Sequence, residues 1–117
     1  MLSYADALRA IFRRTDYERG DRPERPAYAE RVWRLDRVRE LLSALGNPHH
    51  AYRAVHVAGT KGKGSTTAMI ESALRAAGYR TGMYTSPHLH TFRERIRRDG
   101  EPIPEEDVAR LVERMQP

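Results

Sequence analysis

The sequence predicts an α/β fold, in which helices flank a parallel sheet and one strand leads into a phosphate-binding loop. An apolar run at 53–58 is followed at once by a glycine-rich turn and then by a helical pattern at 63–77. A second apolar run, 79–85, follows that helix, and two strands joined through one helix form a right-handed parallel unit. We therefore predict an N-terminal helical segment, 1–52, and the start of a P-loop α/β domain, 53–117.

The composition limits the kind of protein this is. A chain of 117 residues is one small domain or a piece of something larger, and it contains no cysteine for disulfides or thiolate metal sites. No apolar run is long enough to span a bilayer, and Asp6 and Arg9 interrupt the apolar stretch that a signal peptide would need. We expect a cytoplasmic protein without a membrane partner. The net charge of +5 suits an anionic ligand, and the interspersed acidic residues favour a solvated surface over nucleic-acid binding.

The segment 1–52 has the periodicity of helices. Ser3 and Asp6 have the spacing of a capping box at the start of a helix that runs to Phe12, whereas 13–26 is polar and predicts a loop. From Tyr28 to Leu45, apolar residues recur every three or four positions, and Gly46 follows as a C-cap. The stripe of this second helix consists of Val32, Leu35, Val38, Leu41, Leu42 and Leu45.

The turn between the first strand and the helix at 63–77 has the residues that bind phosphate. Glycines let backbone N–H groups approach an anion, and the helix directs its positive end at the same point. Lys63 can reach the outer phosphates of a nucleotide, and Ser65 or Thr66 can offer a hydroxyl to phosphate or Mg2+. Among 21 basic residues only Lys61 and Lys63 are lysines, which indicates a site that needs a compact ammonium group. We expect this helix to bury Met69, Ile70, Ala73, Leu74 and Ala77.

The loop departs from the general P-loop pattern, because Val57 and Gly64 stand where that pattern has Gly and Ser or Thr. The run 59–65 (GTKGKGS), preceded by 56–58 (HVA), instead resembles the ATP loop of the Mur ligase superfamily, specifically of folylpolyglutamate synthase and dihydrofolate synthase. The resemblance implies the N-terminal part of a Mur ligase ATPase domain, with Lys63 as the catalytic residue. The residues that it assigns to ATP are Gly59, Thr60, Lys61, Gly62, Lys63, Gly64, Ser65 and Thr66.

A second run with the same resemblance follows the strand at 79–85. Thr85-Ser86-Pro87-His88-Leu89 is similar to the motif in which the family's serine ligates Mg2+, so the resemblance assigns Ser86, together with Ser65, to the metal. The loop after it implies a folate pocket, formed by His88, Leu89, Phe92 and Arg95. Read without the resemblance, Ser86-Pro87 is a rigid turn, the histidines at 88 and 90 are a poor zinc pair, and the arginines at 93–98 are a solvated or anion-binding cluster.

The last segment predicts a hairpin and a helix. Residues 98–101 have turn chemistry between 95–96 and Ile103, and Pro104 precedes three acidic residues that suit a helix N-terminus. The stripe of this helix consists of Val108, Leu111, Val112 and Met115.

The resemblance implies an ATP-dependent ligase that adds L-glutamate to folate, to dihydropteroate, or to both, through an acyl phosphate, with ATP and Mg2+ as cofactors. It covers only the first part of the family's length, so we expect this chain to be an incomplete and inactive piece, and the full-length enzyme to be a monomer. Two alternatives stay open: a nucleotide- or anion-binding module without ligase activity, and a basic nucleic-acid-binding domain. The sequence does not distinguish the two ligase activities.

Overall fold

The structure is a computed structural model that describes residues 1–14 and 35–116. Its helices are α1 (Tyr4–Phe12), α2 (Asp36–Ala44), α3 (Lys63–Ala76) and α4 (Glu105–Met115). Its strands are β1 (Gly82–Tyr84), β2 (Ile96–Arg98) and β3 (Glu101–Pro102), with short 3-10 helices at Pro48–Ala51 and Phe92–Arg95. No helix in the described ranges is long and apolar enough to cross a membrane.

The helix boundaries follow the capping chemistry of the sequence. Ser3 caps α1, since its hydroxyl oxygen accepts a hydrogen bond from the backbone N–H of Asp6 at 3.1 Å. Helix α2 ends at Ala44, and Gly46 follows with φ +82°, as the predicted C-terminal glycine requires. Pro104 is the N-cap of α4 rather than its first helical residue. The predicted loop at 15–26 and the predicted start of the second helix at 28–34 lie outside the described residues.

The core lies between the first and the last helix. Helix α1 packs on α4 and contributes Ala7, which is fully buried. The other buried apolar residues come from the end of the hairpin and from α4: Ile103, Val108, Ala109 and Val112. Partly buried Leu2, Tyr4, Ala10, Ile11, Phe92 and Ile96 surround them. The domain boundary that we predicted after residue 52 stays a prediction. Helix α1, which precedes that boundary, packs in one core with Ile103 and α4, which follow it.

The predicted hairpin is confirmed, whereas the described residues form an antiparallel sheet that does not contain the predicted parallel pair of strands. Strand β2 pairs antiparallel with both β1 and β3, with Met83 opposite Arg97 and Arg97 opposite Pro102. Residues 53–58 form no strand, and the expected strand at 79–85 is reduced to β1. A parallel strand depends on neighbours at its edges and helices on both faces. Here 53–58 is exposed except for half-buried Val57, so nothing described covers it.

The predicted buried face of α3 is also wrong for the described residues. Met69 is 68% exposed and Leu74 is 39% exposed, and the buried residue of this helix is Glu71. The apolar stripe of α2 is likewise open, with Val38 52% exposed. Spacing identified residues that share a face, but it did not show whether another part of the chain packs against that face.

Candidate functional site

The glycine loop and the start of α3 form an open anion-binding geometry. Gly62 is the N-cap of α3 with φ +75°, a left-handed conformation that favours glycine. It has no side chain to cap the helix, and the first turn of α3 contains no acidic residue. The unpaired N–H groups and the positive end of the helix dipole therefore face a loop whose residues, 59–66, are all exposed.

Lys63 holds the loop together in this structure. Its Nζ donates a hydrogen bond to the carbonyl oxygen of Gly59 at 2.7 Å, so the ammonium group spans the loop from the first helical residue to the first glycine. Thr67 donates to the carbonyl of Lys63 at 2.8 Å, one turn into the helix. The positive charge therefore lies over the loop, where it adds to the field of the helix end.

Ser86 lies just beyond β1, which contacts α3. The Ser86-Pro87 peptide bond is cis, and the N–H of Thr85 donates to the carbonyl of Arg95 at 3.0 Å, which ties this turn to the end of the Phe92–Arg95 helix. Ser86 and Ser65 are both exposed. Hydroxyl oxygens are among the hard ligands that Mg2+ accepts beside phosphate and water, so the two predicted metal ligands fit that ion chemically.

Three of the four predicted substrate residues come together after that turn. Arg95 Nε donates to His88 Nδ1 at 2.8 Å, and the Arg95 guanidinium lies 5.4 Å from the centre of the Phe92 ring. The rings of His88 and Phe92 meet edge to face at 6.0 Å, and Phe92 meets Phe12 of α1 at 5.9 Å. Because Nδ1 of His88 accepts, a neutral imidazole carries its proton on Nε2. Leu89 is 84% exposed and stands apart from this cluster.

Glu94 shapes the loop that carries these residues. Its Oε2 accepts hydrogen bonds from the backbone N–H groups of Thr91 at 2.6 Å and His90 at 2.7 Å. These bonds favour the ionised carboxylate and hold the pKa of Glu94 below its ordinary value. Tyr4 OH lies 3.3 Å from Thr91 Oγ1, which connects the loop to α1. The loop at 88–95 is thus fixed from the core side as well as by Glu94.

The arginine cluster is largely engaged within the protein. Arg93 Nη1 donates to the carbonyl of Ile103, and Arg97 Nε donates to the carbonyl of Glu94, each at 3.3 Å. Both arginines are partly buried, which limits the access of a phosphate backbone to their guanidinium groups. In the described part of the chain, no group of three or more histidine, aspartate or glutamate residues is arranged to hold a metal ion.

Sequence reasoning missed Glu71. This carboxylate is buried in α3 and accepts hydrogen bonds from Thr81 and Arg75. These two bonds hold the pKa of Glu71 below its ordinary value, and the bond from Thr81 has the larger effect. The sequence places Glu71 in helical register with Thr67 and Leu74, but this spacing does not show that Thr81, ten residues later, meets the carboxylate.

Comparison with known proteins identifies relatives by sequence. The chain is 51% identical over 83 residues to a dihydrofolate synthase/folylpolyglutamate synthase of Bacillus subtilis. The match covers 71% of this chain and 19% of that protein, so the chain spans about a fifth of the length of this relative. No family model matches the chain.

Solved structures give the same result. A folylpolyglutamate synthase of Thermotoga maritima superimposes with a TM-score of 0.77 at 43% identity, over 96% of this chain and 23% of that chain. A structure described as a complex of folylpolyglutamate synthase with AMPPCP and folate superimposes with a TM-score of 0.77 at 34% identity, over 97% of this chain and 25% of that chain. The relatives found by sequence and those found by structure therefore share the name folylpolyglutamate synthase.

Proposed function

We propose that the chain corresponds to a part of the longer folylpolyglutamate synthases and dihydrofolate synthases, and that it supplies their ATP loop and part of their folate pocket. The observation that carries the proposal is the start of α3. An uncapped helix N-terminus, a glycine turn and a lysine that spans it are together in one exposed loop. A relative in complex with AMPPCP and folate supports both ligand classes.

The loop suits the triphosphate of ATP. Phosphate oxygens can replace the carbonyl of Gly59 as the acceptor for Lys63, and they can accept from the free N–H groups of the first turn of α3. The hydroxyls of Ser65 and Ser86 are the groups that would hold Mg2+, which when bound neutralises charge on the phosphates. Thr60, Lys61, Gly64 and Thr66 complete the proposed contacts to the nucleotide.

The cluster of His88, Phe92 and Arg95 suits an aromatic carboxylic acid such as folate or dihydropteroate. The Phe92 ring offers an apolar face, the Arg95 guanidinium offers positive charge, and Nε2 of neutral His88 offers a proton donor. Leu89, exposed on the same loop, is free to contact an aromatic ligand. We propose this cluster as part of the substrate site.

The proposed reaction is the ATP-dependent formation of an amide bond. A carboxylate oxygen of the folate substrate attacks the γ-phosphorus of ATP, the bond to the β-phosphate oxygen breaks, and ADP leaves. The amine of L-glutamate then attacks the acyl carbon of this acyl phosphate, loses a proton, and phosphate leaves with the electron pair of the broken C–O bond. Lys63 would stabilise the negative charge that gathers on the phosphates. We expect ligation only when this chain acts with the remaining part of such an enzyme.

Calorimetric titration with ATP and Mg2+ tests the proposal. We expect the chain to bind ATP, and Lys63→Ala to weaken binding at least tenfold, because it removes the charge over the loop. Arg39→Ala is the matched control, since it removes an exposed cation from α2, and we expect it to leave binding unchanged.

Two outcomes would contradict the proposal. Binding that Lys63→Ala leaves intact would show that the nucleotide lies elsewhere. Salt-sensitive binding of DNA or RNA, together with no ATP binding, would favour the nucleic-acid alternative.

A further inference from the structure

A polar cluster around the buried carboxylate of Glu71 joins the helix behind the loop to the strand that leads to Ser86. Glu71 in α3 is 8% exposed, and its Oε1 accepts from Thr81 Oγ1 at 2.7 Å and from Arg75 Nε at 3.0 Å. Thr81 immediately precedes β1. A carboxylate is costly to bury unless its hydrogen bonds are satisfied, so this arrangement needs all three side chains.

The same cluster extends to the turn between β2 and β3. The N–H of Thr81 donates to Oδ1 of Asp99 at 2.9 Å, and the N–H of Asp99 donates to the carbonyl of Thr81 at 2.9 Å. A Cβ added to Gly100 would lie 3.0 Å from the Arg75 guanidinium, so this turn sits directly against the end of that side chain. Helix, strand and turn are thereby fixed to one another by polar groups.

This cluster matters because, among residues 1–14 and 35–116, few other contacts fix α3. Glu71 is its buried residue, and large apolar side chains of the helix are exposed. Glu71 lies two helical turns after Lys63, about 12 Å along the axis, and Thr81 lies five residues before Ser86. The bond between Glu71 and Thr81 therefore links α3, which begins at the loop, directly to the strand that leads to Ser86.

We propose that Glu71 is a positioning residue that, through Thr81, holds the phosphate loop and Ser86 at the separation needed to receive a nucleotide and its magnesium ion together. The role in ligand binding rests on the proposed function. Glu71 contacts neither ligand. It fixes α3, which carries Lys63 and Ser65, against the strand that carries Ser86.

The first test distinguishes an effect on the loop at 59–66 from an effect on the turn at Ser86. ATP affinity is measured with Mg2+ and with EDTA for the wild type and for Glu71→Leu, which removes the acceptor and retains similar bulk. We expect affinity in EDTA to change less than twofold, because the loop itself is intact, and the gain in affinity from Mg2+ to fall at least fivefold. Glu71→Gln keeps an acceptor oxygen and should retain most of that gain, and Glu40→Leu on exposed α2 is the control. An unchanged gain in Glu71→Leu, or an equal fall in both affinities, overturns the proposal.

The second test needs no nucleotide and so separates failure of this proposal from failure of the proposed function. The chain has no cysteine, so Ala68→Cys in α3 and Glu101→Cys in β3, both at exposed positions, give two unique spin-label sites. Three labelled proteins are compared, each with both cysteines: one that keeps Glu71, one with Glu71→Gln and one with Glu71→Leu. Pulsed electron paramagnetic resonance should show one narrow distance distribution for the first two and a distribution at least twice as broad for Glu71→Leu. Equal widths in all three proteins, with helix content unchanged by circular dichroism, overturn the proposal.

Discussion

Helices α1 and α4 close a core together, whereas the proposed site between them has little apolar cover from the residues that the structure describes. Around α1 and α4, Ala7 and Val108 are at most 2% exposed. Between 53 and 78, Val55 is 66% exposed and Met69 is 68% exposed. Both regions contain apolar residues at regular spacing. They differ in whether another described element packs against those residues, and not in composition.

This contrast shows which forces hold each region. Burial of apolar surface stabilises the α1–α4 region, at roughly 25 cal/mol for each Å² removed from water. The loop and α3 depend instead on a capping glycine, the Lys63 bond to Gly59 and the polar cluster at Glu71. Polar contacts are directional, so they can place a phosphate loop accurately although their net contribution to stability is small.

The largest expected effect compares one core residue with one residue of α3. Ile103 is 6% exposed, so Ile103→Ala should lower the free energy of unfolding by about 3 kcal/mol through lost burial and a new cavity. Met69→Ala, at an exposed position, should change it by no more than about 0.5 kcal/mol. Urea denaturation followed by circular dichroism measures both values. A cost for Met69→Ala equal to that of Ile103→Ala would break the comparison, because it would mean that α3 is covered in solution.

A smaller effect should follow acidification. Because the pKa of Glu94 is held below its ordinary value, the unfolded chain binds more protons than the folded chain in the acidic range. The stability that Glu94 provides is fully present above the ordinary pKa of glutamate and is lost as the pH falls through the lowered pKa. We therefore expect the free energy of unfolding to fall as the pH drops below the ordinary pKa of glutamate and through the lowered pKa of Glu94.

Glu94→Gln isolates this contribution. The variant should be less stable than the wild type at pH 7 and should show a shallower loss on acidification, since Glu71 and Asp6, whose pKa values are also lowered, still titrate. Glu40→Gln, at an exposed position in α2, serves as the control. Parallel curves for Glu94→Gln and the wild type would show that the loop does not depend on this carboxylate.

The sequence allowed prediction of features whose causes are local. Ser3 and Asp6 identified the start of α1, Gly46 the end of α2, and the turn at 98–101 the hairpin. Each depends on residues a few positions apart. The loop at 59–65 was found in the same way, because a glycine turn, a lysine and a helix start are neighbours in the chain.

Features set by distant residues could not be predicted in the same way. The packing of α1 on α4 joins the two ends of the chain, and no periodicity shows which stripe meets which. Residues 53–58 have the composition of a strand, but a strand also needs a neighbour to pair with, and the described residues supply none. The hydrogen bond between Glu71 and Thr81 was not predicted, for a related reason. Two polar residues ten positions apart do not indicate a contact until the helix and the strand that carry them are placed together.

The smallest expected effect sharpens the comparison at the start of the core region. Ser3 accepts from the N–H of Asp6 at 3.1 Å and donates through its hydroxyl to the Asp6 carboxylate, which also pairs with Arg9. Ser3→Ala removes this cap and should lower the free energy of unfolding by about 1 kcal/mol. Ser43→Ala, an exposed position in α2, should cost no more than about 0.5 kcal/mol, the usual range for a surface substitution.

Because Ala7 lies one turn after the cap, fraying of α1 should also speed amide exchange at Ala7 and leave α3 unchanged. Equal effects on α1 and α3 would mean that the two regions unfold as one unit, with the α1–α4 core supporting the loop at 59–66 despite the exposure of α3.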